Sequence, residues 1–165
     1  GDLDEGLKSL KEAMLQVSPV PVRFQPIDGE ANGFYSPATK EIVVDSRISE
    51  KHSLKTLIHE ISHAMLHNPE ASGSQSTRET KEVEAESVSY VVCQYYGLDT
   101  SEYSFGYIAD WSTDKTTPEL KASLENIRNT SNEIISNVEQ ILTKEETLEQ
   151  AVSQILPEVH RGRCM

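Results

Sequence analysis

Leu3, Leu7, Leu10, Met14 and Val17 recur at helical spacing, which predicts an amphipathic first helix capped by Asp2 or Asp4. Pro19 and Pro21 end it, and Val20, Val22 and Phe24 then alternate as a half-buried strand does. Residues 28–33 (DGEANG) are rich in turn formers. Phe34-Tyr35 and residues 41–45 (EIVVD) read as two strands joined through residues 36–40 (SPATK), so the first third predicts a small, mostly antiparallel sheet. Ser49 is a suitable cap for a helix with apolar positions at Leu54, Leu57, Ile58, Ile61 and Met65, and Asn68-Pro69 stops it. A polar loop at residues 71–77 (ASGSQST) leads to a capping box, Ser76 with Glu79. The helix that follows carries Val83, Val88, Val91, Val92 and Tyr95, and Gly97 supplies its stop.

Residues 99–114 hold Tyr103, Phe105, Tyr107 and Trp111 without a clear period and read as a packed loop over a cleft. Thr117 with Pro118 opens a long helix striped by Leu120, Leu124, Ile127, Ile134, Val138 and Ile141. Thr143 and Glu146 form a second capping box, starting a last helix with Leu148, Val152 and Ile155 that stops at Pro157. The expected class is therefore α+β, with a core over residues 1–115 and a helical extension over residues 116–157 packed on or beside it. Residues 158–165 read as a loose tail, and no internal repeat is present.

Composition narrows the function classes. A net charge of -12 and the absence of a basic stripe argue against direct nucleic-acid binding. No apolar run approaches a membrane span and no signal peptide opens the sequence. The chain starts at Gly1 rather than Met, as an excised piece would, so further domains are expected outside it and the missing leader says little; the expected location is cytoplasmic. Cys93 and Cys164 stand far apart and outside any C-x-x-C pair, which argues against a disulfide framework and a thiolate zinc site. Cys93 reads as a small core residue.

The chemistry concentrates in residues 54–68 (LKTLIHEISHAMLHN), where His59, Glu60 and His63 stand in the order H-E-x-x-H. Residues four apart share a helix face, so both imidazoles can aim at one ion while Glu60 stands beside it. Two nitrogens for a metal and a carboxylate for water is the geometry of a zinc hydrolase. A catalytic zinc site usually has a third protein ligand, and the acidic start of the next helix offers Glu79, Glu82, Glu84 and Glu86. Glu79 is explained by its cap and Glu84 points elsewhere on the helix, which favours Glu82 as ligand. Glu86, one turn on, can accept an N–H from a ligating imidazole. An oxyanion donor is also needed, and Tyr103, Tyr107 and His67 are the candidates. His67 also suits the helix's last carbonyls as a cation, while His52 and His160 read as surface residues.

These motifs resemble a gluzincin-type metallopeptidase. More narrowly, residues 33–44 (GFYSPATKEIVV), 56–67 (TLIHEISHAMLH) and 82–93 (EVEAESVSYVVC) resemble the zincin domain of ArdC/LtrC-like antirestriction proteins, with a more distant likeness to the ImmA/IrrE family. The likeness covers about residues 30–97 and continues through the aromatic segment. It implies one zinc ion held by His59, His63 and Glu82, Glu60 as general base, and a protein or peptide substrate aligned by strand addition on an edge strand at residues 41–45. In ArdC-like proteins the zincin domain follows a single-stranded-DNA-binding domain, so any DNA role would lie outside this chain. In the ImmA/IrrE family the position of Glu86 is often Asn, a departure that bears on its supporting role. The competing expectation is a zinc-stabilised regulatory or interaction module with little peptidase activity, for which the acidic surface and long C-terminal helix are suited.

Overall fold

The computed structural model describes residues 2–67 and 77–163. Helix α1 (Asp2–Val17) turns Leu10, Ala13 and Met14 into the core and ends before Pro19. Three strands follow: β1 (Val22–Gln25), β2 (Gly33–Ser36) and β3 (Glu41–Asp45). Lys40, at φ 54°, takes the left-handed conformation in the turn that joins β2 to β3.

The sheet order is β1-β3-β2, and this corrects two expectations. The sheet is mixed, with β1 parallel to β3 (Val22 opposite Ile42) and β2 antiparallel to it (Gly33 opposite Val44). Strand β3 is the centre and not an edge, so its backbone is paired on both sides and cannot take a peptide strand. The physical signal is the run Ile42-Val43-Val44, all three with no exposed surface, as a strand covered on both faces requires.

Helix α2 (Glu50–Leu66) is capped by Ser49, whose hydroxyl accepts from the His52 N–H at 3.2 Å. Leu54, Leu57, Ile58 and Ile61 have no exposed surface. At roughly 1.5–3 kcal/mol per buried side chain, these four residues fix which face of α2 is left for chemistry. Helix α3 (Arg78–Tyr95) is capped by Thr77, which accepts from the Thr80 N–H at 3.1 Å. The polar loop before it and the Ser76 of the expected capping box lie outside the described residues. At the far end Gly97 (φ 69°) lets the Leu98 N–H reach back to the Cys93 carbonyl and close α3.

The aromatic segment contains a short helix, α4 (Gly106–Ser112), in place of an unbroken loop, with Trp111 buried and its indole N–H donating to Thr80 at 2.9 Å. Helix α5 (Thr117–Arg163) is one continuous helix of 47 residues, so the expected break at Thr143 and stop at Pro157 are both corrected. Thr143 makes no N-cap; its carbonyl accepts from the Thr147 hydroxyl within the helix. Ile134 and Val138 lie in the core, whereas Leu148, Val152 and Ile155 are 52–65% exposed. The tail expected to be loose is helical as far as Arg163. Among the described residues no helix is long and apolar enough to cross a membrane.

Candidate metal centre

The four-residue spacing on α2 brings the His59 and His63 rings to 4.8 Å between centroids, nearly perpendicular to one another. α3 packs alongside and presents Glu82 in its second turn. The Glu82 carboxylate meets both imidazoles: Oε1 lies 3.3 Å from His59 Nε2 and Oε2 lies 3.1 Å from His63 Nε2. Two donors about 2.0–2.1 Å from a tetrahedral zinc stand roughly 3.3–3.4 Å apart, so these separations fit that ion. All three donor atoms lie within 4.8 Å of one another. His59, His63 and Glu82 thus make a candidate metal site, as the sequence pattern predicts, and its donors are the nitrogen and oxygen types zinc takes.

The remaining nitrogen of His59, Nδ1, lies 3.5 Å from Glu86 Oε2. A carboxylate behind an imidazole is the arrangement that fixes ring direction in metal sites. Glu60 lines the cleft beside His59 with only 7% of its surface exposed. Burial raises its carboxyl above the usual range, partly offset by the two imidazoles and by a hydrogen bond from the Tyr35 backbone N–H. Hydrogen bonds to His59 and His63 push the Glu82 carboxyl well below the usual range. Burial pulls the His59 imidazole down, but Glu82, Glu60 and Glu86 outweigh it and leave it raised. The cluster is therefore one that holds positive charge. Burial raises the Glu86 carboxyl as well.

The other acids fall away from the ion. Glu79 is exposed. Glu84 is buried on the opposite side, where Ser123 (2.9 Å) and Asn126 (3.4 Å) of α5 donate to Oε1. His67 is corrected as a capping cation: its Nε2 pairs with the Lys81 carbonyl at 3.2 Å, and burial together with His63 brings its pKa down to about 4. The Tyr103 hydroxyl is tied to Ser89 at 2.7 Å. Tyr107, on α4, is 38% exposed, and burial with the Glu86 and Glu82 charges pushes its pKa up to about 12.

A cleft of about 390 Å³ opens beside His59 and Glu60. Its walls include Asn32, Gly33, His52, Lys55, Glu102 and Tyr103, several of which sequence reasoning passed over. His52, expected at the surface, bonds the Asn32 amide at 3.1 Å. Gly33 sits so close to α2 that a Cβ there would stand 2.6 Å from Thr56 Cγ2. The one signal in the sequence was the glycine at the start of a strand, where close backbone approach is a standing explanation.

Residues 16–132 match the sequence profile of the IrrE N-terminal-like domain, an M78 peptidase family that is zincin-like and zinc-associated. An uncharacterized protein of Bacillus anthracis is 36% identical over 105 residues, which is 63% of this chain and 18% of that relative. The chain thus spans less than a fifth of that protein's length. No solved structure matches. The narrower likeness to ArdC/LtrC proteins finds no support in these comparisons, and the family that matches is the one expected as the more distant relation. On the profile match across residues 16–132, the chain belongs to the IrrE N-terminal-like domain family.

Proposed function

We propose that the chain is a zinc-dependent peptidase domain in which Glu60 activates water for attack on a peptide bond. The observation that carries this reading is the meeting of two imidazoles on one carboxylate, at 3.3 and 3.1 Å, beside a buried Glu60 that is separate from the donor set. Structural zinc sites are usually closed by four protein ligands, whereas three donors with a neighbouring carboxylate compose a hydrolytic one.

His59, His63 and Glu82 would hold the ion, with Glu86 steadying His59 from behind. When bound, zinc polarises the scissile carbonyl and makes water a nucleophile near neutral pH. Glu60 takes that water's proton and hands it to the leaving amine. Of the three candidate oxyanion donors, Tyr107 is the one left without a committed partner among the described hydrogen bonds. The Tyr103 hydroxyl is committed to Ser89 and His67 Nε2 to the Lys81 carbonyl, while Tyr107 lies close enough to Glu82 and Glu86 to feel both charges. Substrate backbone pairs with β2, an edge strand whose Gly33 borders the cleft.

Metal content and proteolysis test this directly. Wild type should carry one zinc per chain and Glu82→Ala should lose it; undiminished zinc in Glu82→Ala removes Glu82 as ligand. Glu60→Gln should keep zinc and cleave nothing, and persistent cleavage would remove Glu60 as the base. A second reading, an interaction module with little turnover, draws on the exposed Leu148, Val152 and Ile155 of α5. It expects Glu60→Gln to retain the chain's biological effect, where the peptidase reading expects loss. The chain spans 18% of the length of its Bacillus anthracis relative, and we propose that it acts as one domain of a longer protein.

A further inference from the structure

Lys55 stands one turn before His59 on the same face of α2, and its amine lines the cleft beside the candidate metal site. Its side chain is 9% exposed, and Nζ lies 3.1 Å from Glu102 Oε1. Among the described residues Glu102 is its one hydrogen-bond partner, although an ammonium has three protons to donate. The two halves of this pair are held very differently. Lys55 is packed within the cleft wall with Nζ 6.0 Å from the Tyr103 ring centroid, and Tyr103 is itself tied to Ser89. The Glu102 side chain is 61% exposed. Its backbone is pinned on both sides, by the Ser101 N–H on Asp99 (2.9 Å) and the Tyr103 N–H on the Thr100 carbonyl (3.1 Å). Rotation of one exposed side chain is thus enough to leave a buried ammonium facing the cleft.

We propose that Lys55 determines substrate specificity by binding the carboxylate of an Asp or Glu next to the scissile bond, and that Glu102 fills that position in the free chain. This rests on the peptidase reading above and goes beyond it by naming the substrate class. The reach is right: one helical turn is about 5.4 Å, and successive residues of an extended peptide advance by roughly 3.3 Å. Glu60 and Glu86 also line the cleft, so an anion is held there only where it pairs with Lys55. The displaced Glu102 carboxylate, 61% exposed, turns toward solvent, where its charge is screened. Leaving the buried ammonium without a partner is the costly alternative, which restricts the exchange to ligands that bring a carboxylate.

The test uses the zinc-loaded chain and a proteome-derived peptide library, with cleavage sites mapped by mass spectrometry, followed by a matched pair of peptides differing by Glu or Gln at the enriched position. Wild type should enrich Asp and Glu at one of the two positions flanking the cut. The Glu-to-Gln ratio of kcat/KM should be at least about tenfold, the size of one charge-assisted hydrogen bond. Lys55→Met should bring that ratio to about one, and Glu102→Gln should raise it. Lys55→Arg, which keeps the charge, should retain the preference and serves if the Met variant does not fold. Cut sites without acid enrichment, or enrichment that survives Lys55→Met, overturn the inference and leave the peptidase reading standing. A zinc-loaded wild type that cuts no peptide overturns both.

Discussion

Gly33→Ala is expected to destabilise the chain by steric conflict between β2, β3 and α2. A Cβ at this position would stand 2.6 Å from Thr56 Cγ2 and 3.0 Å from the Val43 carbonyl oxygen, with Glu60 Cγ at 3.6 Å. Ordinary carbon contacts are about 3.5–4.0 Å, so roughly 1 Å must be found between β2 and α2. Val43 is backbone of the central strand and cannot retreat, and Thr56 is β-branched and stiff at χ1. Gly33 has no positive φ to satisfy, so the requirement is one of space and not of conformation. Overpacking of this kind costs about 1–3 kcal/mol, or roughly 2–12 °C in Tm for a chain of this size. Thr56→Ser deletes the offending methyl and keeps the hydroxyl, so the double variant should recover part of the loss; the Val43 contact withholds the rest. Urea unfolding of wild type, both single variants and the double variant gives the coupling, expected to be about 1 kcal/mol or more in the favourable direction. Strict additivity, or a Gly33→Ala variant as stable as wild type, would refute the argument.

Other outcomes follow from single contacts. Glu86→Ala should weaken zinc affinity by about 10–100-fold, measured by competition with a chromophoric chelator, and an unchanged affinity would detach Glu86 from His59. Asp45 is held at about 2, below its ordinary 3.8, by side-chain and backbone hydrogen bonds from Arg47. A carboxyl depressed in the fold contributes stability that is present above about pH 4 and lost as pH falls towards 2. The stability gap between wild type and Asp45→Asn should therefore narrow across that window, and a gap that widens on acidification contradicts the sign. Ile134→Ala, at 1% exposure, should cost about 2–5 kcal/mol by thermal or urea unfolding, while Leu148→Ala, on the same helix at 65%, should stay within about 0.5 kcal/mol. Equal losses would mean that the distal half of α5 is packed.

What could be read from sequence was what short-range periodicity controls. His59 and His63 lie on one helix, where a spacing of four fixes their shared face whatever the rest of the chain does. Glu82 was within reach because an acidic turn opened a helix that needed to bury Val83 and Val88. The partners of β3 were not, since Val22 and Phe24 alternate in the same way whether the strand beside them runs parallel or antiparallel. Thr143 and Glu146 misled for a related reason. A capping box stabilises a helix start only where the chain has already left the helix, and neither Gly nor Pro interrupts residues 119–156. Once α5 is nucleated, propagation through Ile141 and Leu142 costs less than stopping. Lys55 is the sharpest case, because it stands four residues before His59, the same interval that made His63 legible after it. Periodicity gave all three residues one face. It did not reveal that Glu102 would come to lie 3.1 Å from one of them, because Glu102 belongs to a segment with no period, held by Asp99, Thr100 and Ser89.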